Sequence, residues 1–443
     1  MKLLLIRSLF VILIALSVCF QSIYAQPKED KPDFEIEKIP FSESSSEVKL
    51  IPGSYIFIFN STVVPSFLDK YGEEMAKTDD RDQKARLFEA YDQETKAAIL
   101  KIAESKLSLS PKQIADIYTG SITGFSVKGM DADRAKELQA QVAKMDEFLG
   151  MGEDFEMSLN VSAVHEASEE EANELVLAQS SSWGTNYTGW ADKTGSAYWA
   201  WILDSGIDLD HPDLNVRTSH AKSFVGYTNS ANDDHGHGSH VAGIVAAKNN
   251  SIGTKGVAAG AWVVPVKVCS SKAKCDCSAI LGGLQHVAKY FLAGDVVNMS
   301  FGGVPPSWWD NLWNTSAAQT EPQIRNLAKA GVHMVSSAGN DKQKASNVTP
   351  ARLNGSRLYT ISAMDWNYDI ANFSNYGNPP MDYAAPGVSI LSCYKNGGYA
   401  YMDGTSMAAP HVAGILLSNG GTINSSRVLN TDKDSTKDKV AKR

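Results

Sequence analysis

From Trp199 to Ser336 the chain alternates short apolar runs with stretches whose apolar residues fall at helical spacing. The runs are Trp199–Leu203, Trp262–Val268, Asp295–Ser300 and Val332–Ser336. Between them lie His240–Ala247, Ala279–Phe291 and Pro322–Ala330. Such alternation predicts a parallel sheet with helices on both faces, an α/β fold. Reacting groups in these sheets gather beyond the carboxyl ends of the strands. The residues that follow each run are therefore the place to look for chemistry.

Four stretches carry candidate chemistry, two of them at such run ends. Asp204 ends the first run in Leu-Asp-Ser-Gly-Ile-Asp208; on its own, an Asp before a Gly is a turn former. Asp233-Asp-His-Gly-His-Gly-Ser-His-Val-Ala-Gly243 holds three histidines. His237 and His240 could share a helix face as zinc ligands, but nothing at ligand spacing follows them. Ser336-Ser-Ala-Gly-Asn340 closes a strand, where Gly-Asn is ordinarily a turn. Gly404-Thr-Ser-Met-Ala-Ala-Pro-His-Val-Ala-Gly414 places Ser406 where a buried helix starts. A serine there is ordinarily an N-cap. It also stands at the positive end of the helix dipole, beside N–H groups able to hold an oxyanion. Pro410 suits the first turn, where backbone N–H groups lack intrahelical partners.

Taken together these strings resemble the subtilisin-like serine proteases (subtilases), over about residues 180 to 420. The resemblance implies a nucleophile at Ser406, a general base at His237 and an orienting carboxylate at Asp204, in the chain order of that family. It makes Asn340 a side-chain oxyanion donor, His240 a structural histidine and His235 a loop residue. Ser239 replaces the commoner threonine. Val297-Asn-Met-Ser-Phe-Gly-Gly303 resembles the family's edge for an extended peptide, so Ser300, Phe301 and Gly302 are expected to bind substrate backbone. Pro305 to Pro322, with Trp308, Trp309 and Trp313, departs from the family and leaves specificity open. No cofactor is required for such chemistry. One family calcium site uses two carbonyls and an Asp before a Pro-Gly, which points to Ser356, Leu358 and Asp382, although Pro379-Pro380 lengthens that loop.

The rest of the 443 residues carries a different pattern. Lys2 and Arg7 precede an apolar run from Leu9 to Phe20, with Ala25 before Gln26, as in a secretory signal peptide over 1–25. No other stretch approaches the roughly 20 apolar residues of a membrane span. Residues 26 to about 45 are polar and charged. Order is expected from the β-rich Leu50–Phe59, followed by exposed helices over 65–107, a strand at Ile122–Val127, a helix at Ala132–Phe148 and a strand at Met157–Val164. That makes a small α+β sandwich. Its strings "IPGSYIFIF" and "ITGFSVKGMDADRAKEL" resemble the inhibitory propeptide of subtilases, though 65–107 is longer than the family's connection. The implied domains are a propeptide over 26–178, folded from about 46 to 165, and a catalytic domain over 179–443. The boundary is expected between about 165 and 179. Asn419 to Arg443 is short and polar where relatives add helix.

A formal net charge of −9 without a basic stripe argues against nucleic acid. Beyond the signal, Cys269, Cys275, Cys277 and Cys393 suit disulfides in an exported protein. Cys275 and Cys277 are too close to pair with each other, and a thiolate metal site from Cys269, Cys275 and Cys277 is the alternative. The sequence thus predicts an exported, monomeric, self-processing serine endopeptidase. Its partners are polypeptide substrates and its own propeptide, with neither nucleic acid nor membrane.

Overall fold

The computed structural model describes residues 47–443, except 169, 172, 173, 176, 177, 316, 317 and 320. The signal peptide and the polar tail expected before residue 46 lie outside the described residues. No helix among the described residues is long and apolar enough to cross a membrane.

The alternation of runs and helices builds an eight-stranded sheet. Its order is Tyr383–Pro386, Leu358–Met364, His333–Ser337, Val296–Met299, Trp199–Asp204, Trp262–Lys267 and Asn215–Val216, with Lys222–Ser223 beside Trp262–Lys267. Every pairing in it is parallel. Successive side chains of a strand point to opposite faces, and the core divides accordingly. Trp199, Trp201 and Leu203 pack with Leu284, Val287 and Leu327 of helices Cys277–Tyr290 and Pro322–Lys329. Ala200 and Ile202 pack on the other face with Val241, Val245, Met407 and Val412 of helices His237–Ala246 and Thr405–Ser418.

The N-terminal sandwich has strands Lys49–Phe59, Ile114–Tyr118, Gly124–Val127 and Phe148–Leu159. Strand alternation again separates two layers. Tyr55, Phe57 and Phe59 meet Phe125, Ile99, Leu107 and Leu138 on one side. Ile56 and Ile58 face a cluster shared with Phe155, Met157, Leu284 and Ile324, so the sandwich is welded to the helices of the parallel sheet.

Here the expected exposed helices over 65–107 need correction. They are Phe67–Met75 and Arg81–Leu107, and one face of each is buried. Phe67 meets Phe88 edge-on and Tyr91 at a tilt, and Arg81 reaches into the parallel-sheet layer. Its guanidinium gives two bonds, of 2.6 and 2.8 Å, to the fully buried carboxylate of Asp295. Two further bonds go to the carbonyls of Tyr290 and Ala197, and the group lies 3.6 Å above the Trp199 ring. Three more donors hold Asp295: Trp199 N, Leu292 N and Trp201 Nε1, each at 2.9 Å.

One other expectation changes. The single strand expected over Met157–Val164 is broken: Phe148–Leu159 ends, three residues cross, and Ala163–Glu166 starts a new pairing. The segment after 418 contains no helix among its described residues. It packs as irregular chain, with Leu429 and Val440 buried and Ala384 bracketed by bonds to Lys439 and Ala441.

Candidate active site

Asp204 and Asn340 stand where parallel strands end, and His237 and Ser406 stand in the first turns of helices. Asp204 closes Trp199–Asp204, and its carbonyl takes the N–H groups of Val268 and Cys269. Its Oδ1 lies 2.7 Å from His237 Nδ1 and accepts the Ser205 N–H at 2.7 Å. Both side chains are fully buried. A carboxylate on Nδ1 keeps the proton there and leaves Nε2 as the basic nitrogen.

His237 opens its helix because Asp233 organises the turn before it. Asp233 Oδ1 accepts from Gly236 N at 2.8 Å, and Oδ2 from Ser239 N and Oγ at 2.8 and 2.7 Å. Burial works to raise the Asp233 pKa, yet these hydrogen bonds bring it below the ordinary carboxylate value. Gly236 has φ +107°, and a Cβ there would lie 2.2 Å from the Tyr394 ring. The neighbouring histidines are different. His240 Nε2 sits 3.0 Å from the carbonyls of Ile390 and Ala400, and burial lowers its pKa to about 3. His235, expected in a loop, is buried as well, and burial followed by the charge of His237 brings it to about 4. Neither is poised to trade protons near neutrality.

Ser406 is the second residue of helix Thr405–Ser418. Pro410 is the sixth, beyond the first turn to which the sequence assigned it. Lacking an N–H, Pro410 leaves the Ser406 carbonyl without its helical donor. Ser300 Oγ supplies a bond to that carbonyl instead, at 3.1 Å. The Ser406 hydroxyl donates to the Ser300 carbonyl at 2.9 Å, and His237 Nε2 has no hydrogen-bond partner. In this pose the Ser406 hydroxyl is bonded to Ser300 and not to His237.

Asn340 follows strand His333–Ser337. Its Oδ1 accepts from Thr405 N at 3.0 Å and Thr405 Oγ1 at 2.8 Å, which fixes the carboxamide and leaves Nδ2 without a partner. Thr405 was not singled out in the sequence, although it sits inside the same motif.

A segment of the chain itself runs through this site. Strand Phe148–Leu159 lies antiparallel between Lys274–Asp276 and Phe301–Gly302, with Leu159 opposite Phe301 and Ser158 opposite Gly302. Asn160 N donates to Ser300 O at 3.2 Å, and Asn160 O accepts from Ser406 N at 3.2 Å. A Cβ on Gly404 would lie 2.4 Å from that Asn160 oxygen and 3.3 Å from Asn340 Nδ2. Beyond the crossing, Ala163–Glu166 pairs antiparallel with Tyr399–Asp403. Ser300, Phe301 and Gly302 therefore hold extended backbone, and the bond that passes Ser406 is Asn160–Val161, upstream of the 165–179 window. Asn160 reads as one polar residue within a β-rich run and carried no signal of this placement.

Trp308 and Trp309 of the insertion pack on strand Phe148–Leu159. Trp308 Nε1 donates to Glu153 O at 3.0 Å, and Trp309 stacks edge-on against Phe155. The described cysteines pair as Cys269–Cys275, which ties the end of strand Trp262–Lys267 to the edge Lys274–Asp276. Cys277 and Cys393 are buried thiols, not the disulfide partners expected, and burial raises both well above the usual thiol range. Two sulfurs of the alternative metal cluster are thereby joined to each other. For the calcium set, Ser356 is exposed and Leu358 buried, and Asp382 Oδ2 accepts Thr360 N at 2.9 Å. Burial pushes Asp382 up to about 6, and burial with neighbouring carboxylates pushes Asp438 to about 7. A carboxylate with backbone carbonyl oxygens is a donor class that calcium takes.

Known proteins match the same region. The family described as Peptidase_S8, subtilase family, covers residues 201–418. M-protease of Shouchella clausii is 37% identical over 252 residues, 56% of this chain and 61% of that protein. Subtilisin-like protease 5 of Arthroderma benhamiae is 38% identical over 237 residues, 52% of this chain and 54% of that protein. A solved cold adapted subtilisin-like serine proteinase is 28% identical with a TM-score of 0.47, covering 56% of this chain and 89% of its own. The chain spans less than two thirds of these curated relatives, between 54% and 61% of their length. Through residues 201–418 the chain belongs to the subtilase family.

Proposed function

We propose that this protein is a serine endopeptidase made as a precursor, with residues up to Asn160 acting as its inhibitory prosegment. The observation that carries this reading is the Asn160 carbonyl, seated 3.2 Å from Ser406 N between two backbone pairings. That is the pose of a peptide about to be cut. It supports a boundary at the bond Asn160–Val161 in place of the window after 165.

In the reaction, Ser406 Oγ turns from Ser300 toward His237 and gives its proton to Nε2 while bonding to the Asn160 carbonyl carbon. The displaced electron pair settles on the carbonyl oxygen, held by Ser406 N–H and Asn340 Nδ2. Asp204 stabilises the imidazolium that forms. Collapse breaks the C–N bond, and the Val161 nitrogen leaves with the proton from His237. Water, deprotonated by His237, then attacks the ester and frees the Asn160 carboxylate and Ser406. Other polypeptides follow the same path once the prosegment departs, their backbones pairing with Ser300–Gly302. The N-terminal 25 residues direct export. Ser356 and Leu358 carbonyls with Asp382 would hold a calcium ion, which would neutralise buried carboxylate charge and take no part in the chemistry.

The test is covalent. A serine-directed phosphonylating reagent labels Ser406 and stops hydrolysis, and Ser406→Ala neither takes the label nor cuts peptides. Labelling elsewhere, or an active Ser406→Ala protein from a host without secreted proteases, overturns the reading.

A further inference from the structure

We infer that the pocket for the residue before the cut selects asparagine, with Ser337 as the group that recognises its carboxamide. This rests on the reading that Ser406 attacks the Asn160 carbonyl. Asn160 is 5% exposed and Ser337 fully buried. The Asn160 Nδ2 donates to Ser337 Oγ at 2.7 Å. Ser337 is the last residue of strand His333–Ser337, three positions before Asn340, so one strand end presents both groups. The strand backbone fixes Ser337, and the pocket needs no loop closure to form it.

The opposite wall is Gly302. A Cβ there would lie 2.8 Å from Val348 Cγ1 and 3.3 Å from the Asn160 Nδ2, so a side chain at 302 would crowd the carboxamide. Both groups brought against the Asn160 side chain are neutral. An aspartate in its place carries a negative charge into a buried site. A leucine, nearly isosteric, leaves the Ser337 hydroxyl facing methyl groups. A glutamine carries its amide one methylene further, past the reach set by the 2.7 Å contact. A site that hydrogen-bonds a substrate N–H discriminates strongly against analogues lacking it, because its own polar group is left unpaired. The preference for Asn over Leu is on the order of ten- to a hundredfold in kcat/KM. Asp is disfavoured by at least as much at neutral pH.

The experiment uses the full chain after it has processed itself. Peptides Met-Ser-Leu-X-Val-Ser-Ala, with X as Asn, Asp, Gln or Leu, are compared by kcat/KM, and the same four residues are placed at 160 in the chain. Asn ahead of Leu and Asp by tenfold or more, with a matching order of self-processing rates, supports the inference. Ser337→Ala brings the Asn-to-Leu ratio to within about threefold of unity, whatever it does to the absolute rates. A chain that cuts after Asn160 but hydrolyses Leu and Asn peptides equally overturns the inference and leaves the enzymatic reading standing. A ratio unmoved by Ser337→Ala overturns the role of Ser337. A chain that neither processes itself nor cuts any of the peptides overturns both.

Discussion

Arg81→Ala, made in the uncut Ser406→Ala chain, removes the guanidinium that fastens helix Arg81–Leu107 to the parallel-sheet layer. Asp295 is fully buried, and the substitution withdraws two charge-assisted bonds of 2.6 and 2.8 Å from it. Breaking a buried pair by removing one partner costs about 3–5 kcal/mol, since the other charge stays behind. Three N–H donors remain on Asp295, and Lys84 lies close enough to feel its charge, so the lower end applies, about 3 kcal/mol. That corresponds to roughly a hundredfold in an opening equilibrium. Amide hydrogen exchange reads it directly, because local opening of a segment sets its protection. Amides of residues 84–107 lose about a hundredfold in protection, while those of strand Trp199–Asp204 change far less. Arg81→Lys restores little, because an ammonium cannot span both carboxylate oxygens and the carbonyls of Tyr290 and Ala197. Protection within threefold of the parent in Arg81→Ala, or full restoration by lysine, refutes the argument.

Asn340→Ala lowers kcat by about 10²–10³-fold with little change in KM, a range known for the corresponding donor in subtilisin; an unchanged kcat removes Asn340 from the oxyanion site. Asp154 of the proposed prosegment is fully buried, where Oδ1 takes the Ser278 N–H at the start of helix Cys277–Tyr290 and Oδ2 the Ser54 hydroxyl, and burial raises its pKa to about 6. The nearby Asp276 adds to that rise. An assembled pKa above the free value of about 4 means retention of the cut prosegment is fully supported below pH 4 and weakens as pH rises to 6, by up to roughly a hundredfold. Asp154→Asn flattens that profile in co-elution measured from pH 4 to 7.5, and a profile unchanged by the substitution counts against it. Calcium at millimolar concentration raises Tm at pH 7 in the parent and not in Asp382→Asn, and equal shifts in both would place the ion elsewhere.

Much of the catalytic layer is legible because its signals are local. Strand ends such as Asp204 and Asn340 follow from apolar runs, and the strings around His237 and Ser406 are long enough to fix their neighbours. What escaped depends on contacts between distant segments. Helix Arg81–Leu107 is charged along most of its length, and nothing in its composition shows that Arg81 finds a carboxylate 214 residues away. Met157–Val164 has uninterrupted strand character, and the break at 160–162 is imposed by the site through which it passes. Ser337 reads as an interior strand residue until Asn160 is placed against it. Pro410 lies past the first turn of its helix, where the distant Ser300 hydroxyl supplies the bond that its missing N–H cannot.

The bond that is cut first is the most direct test of self-processing at Ser406. The purified full chain, sampled from the earliest minutes, can be followed by intact mass and by sequencing of new N-termini. A first new terminus at Val161, with its partner fragment ending at Asn160 and neither formed in Ser406→Ala, is the predicted result. A first cut between 165 and 179 with Asn160–Val161 intact, or the same fragments from Ser406→Ala, would contradict it.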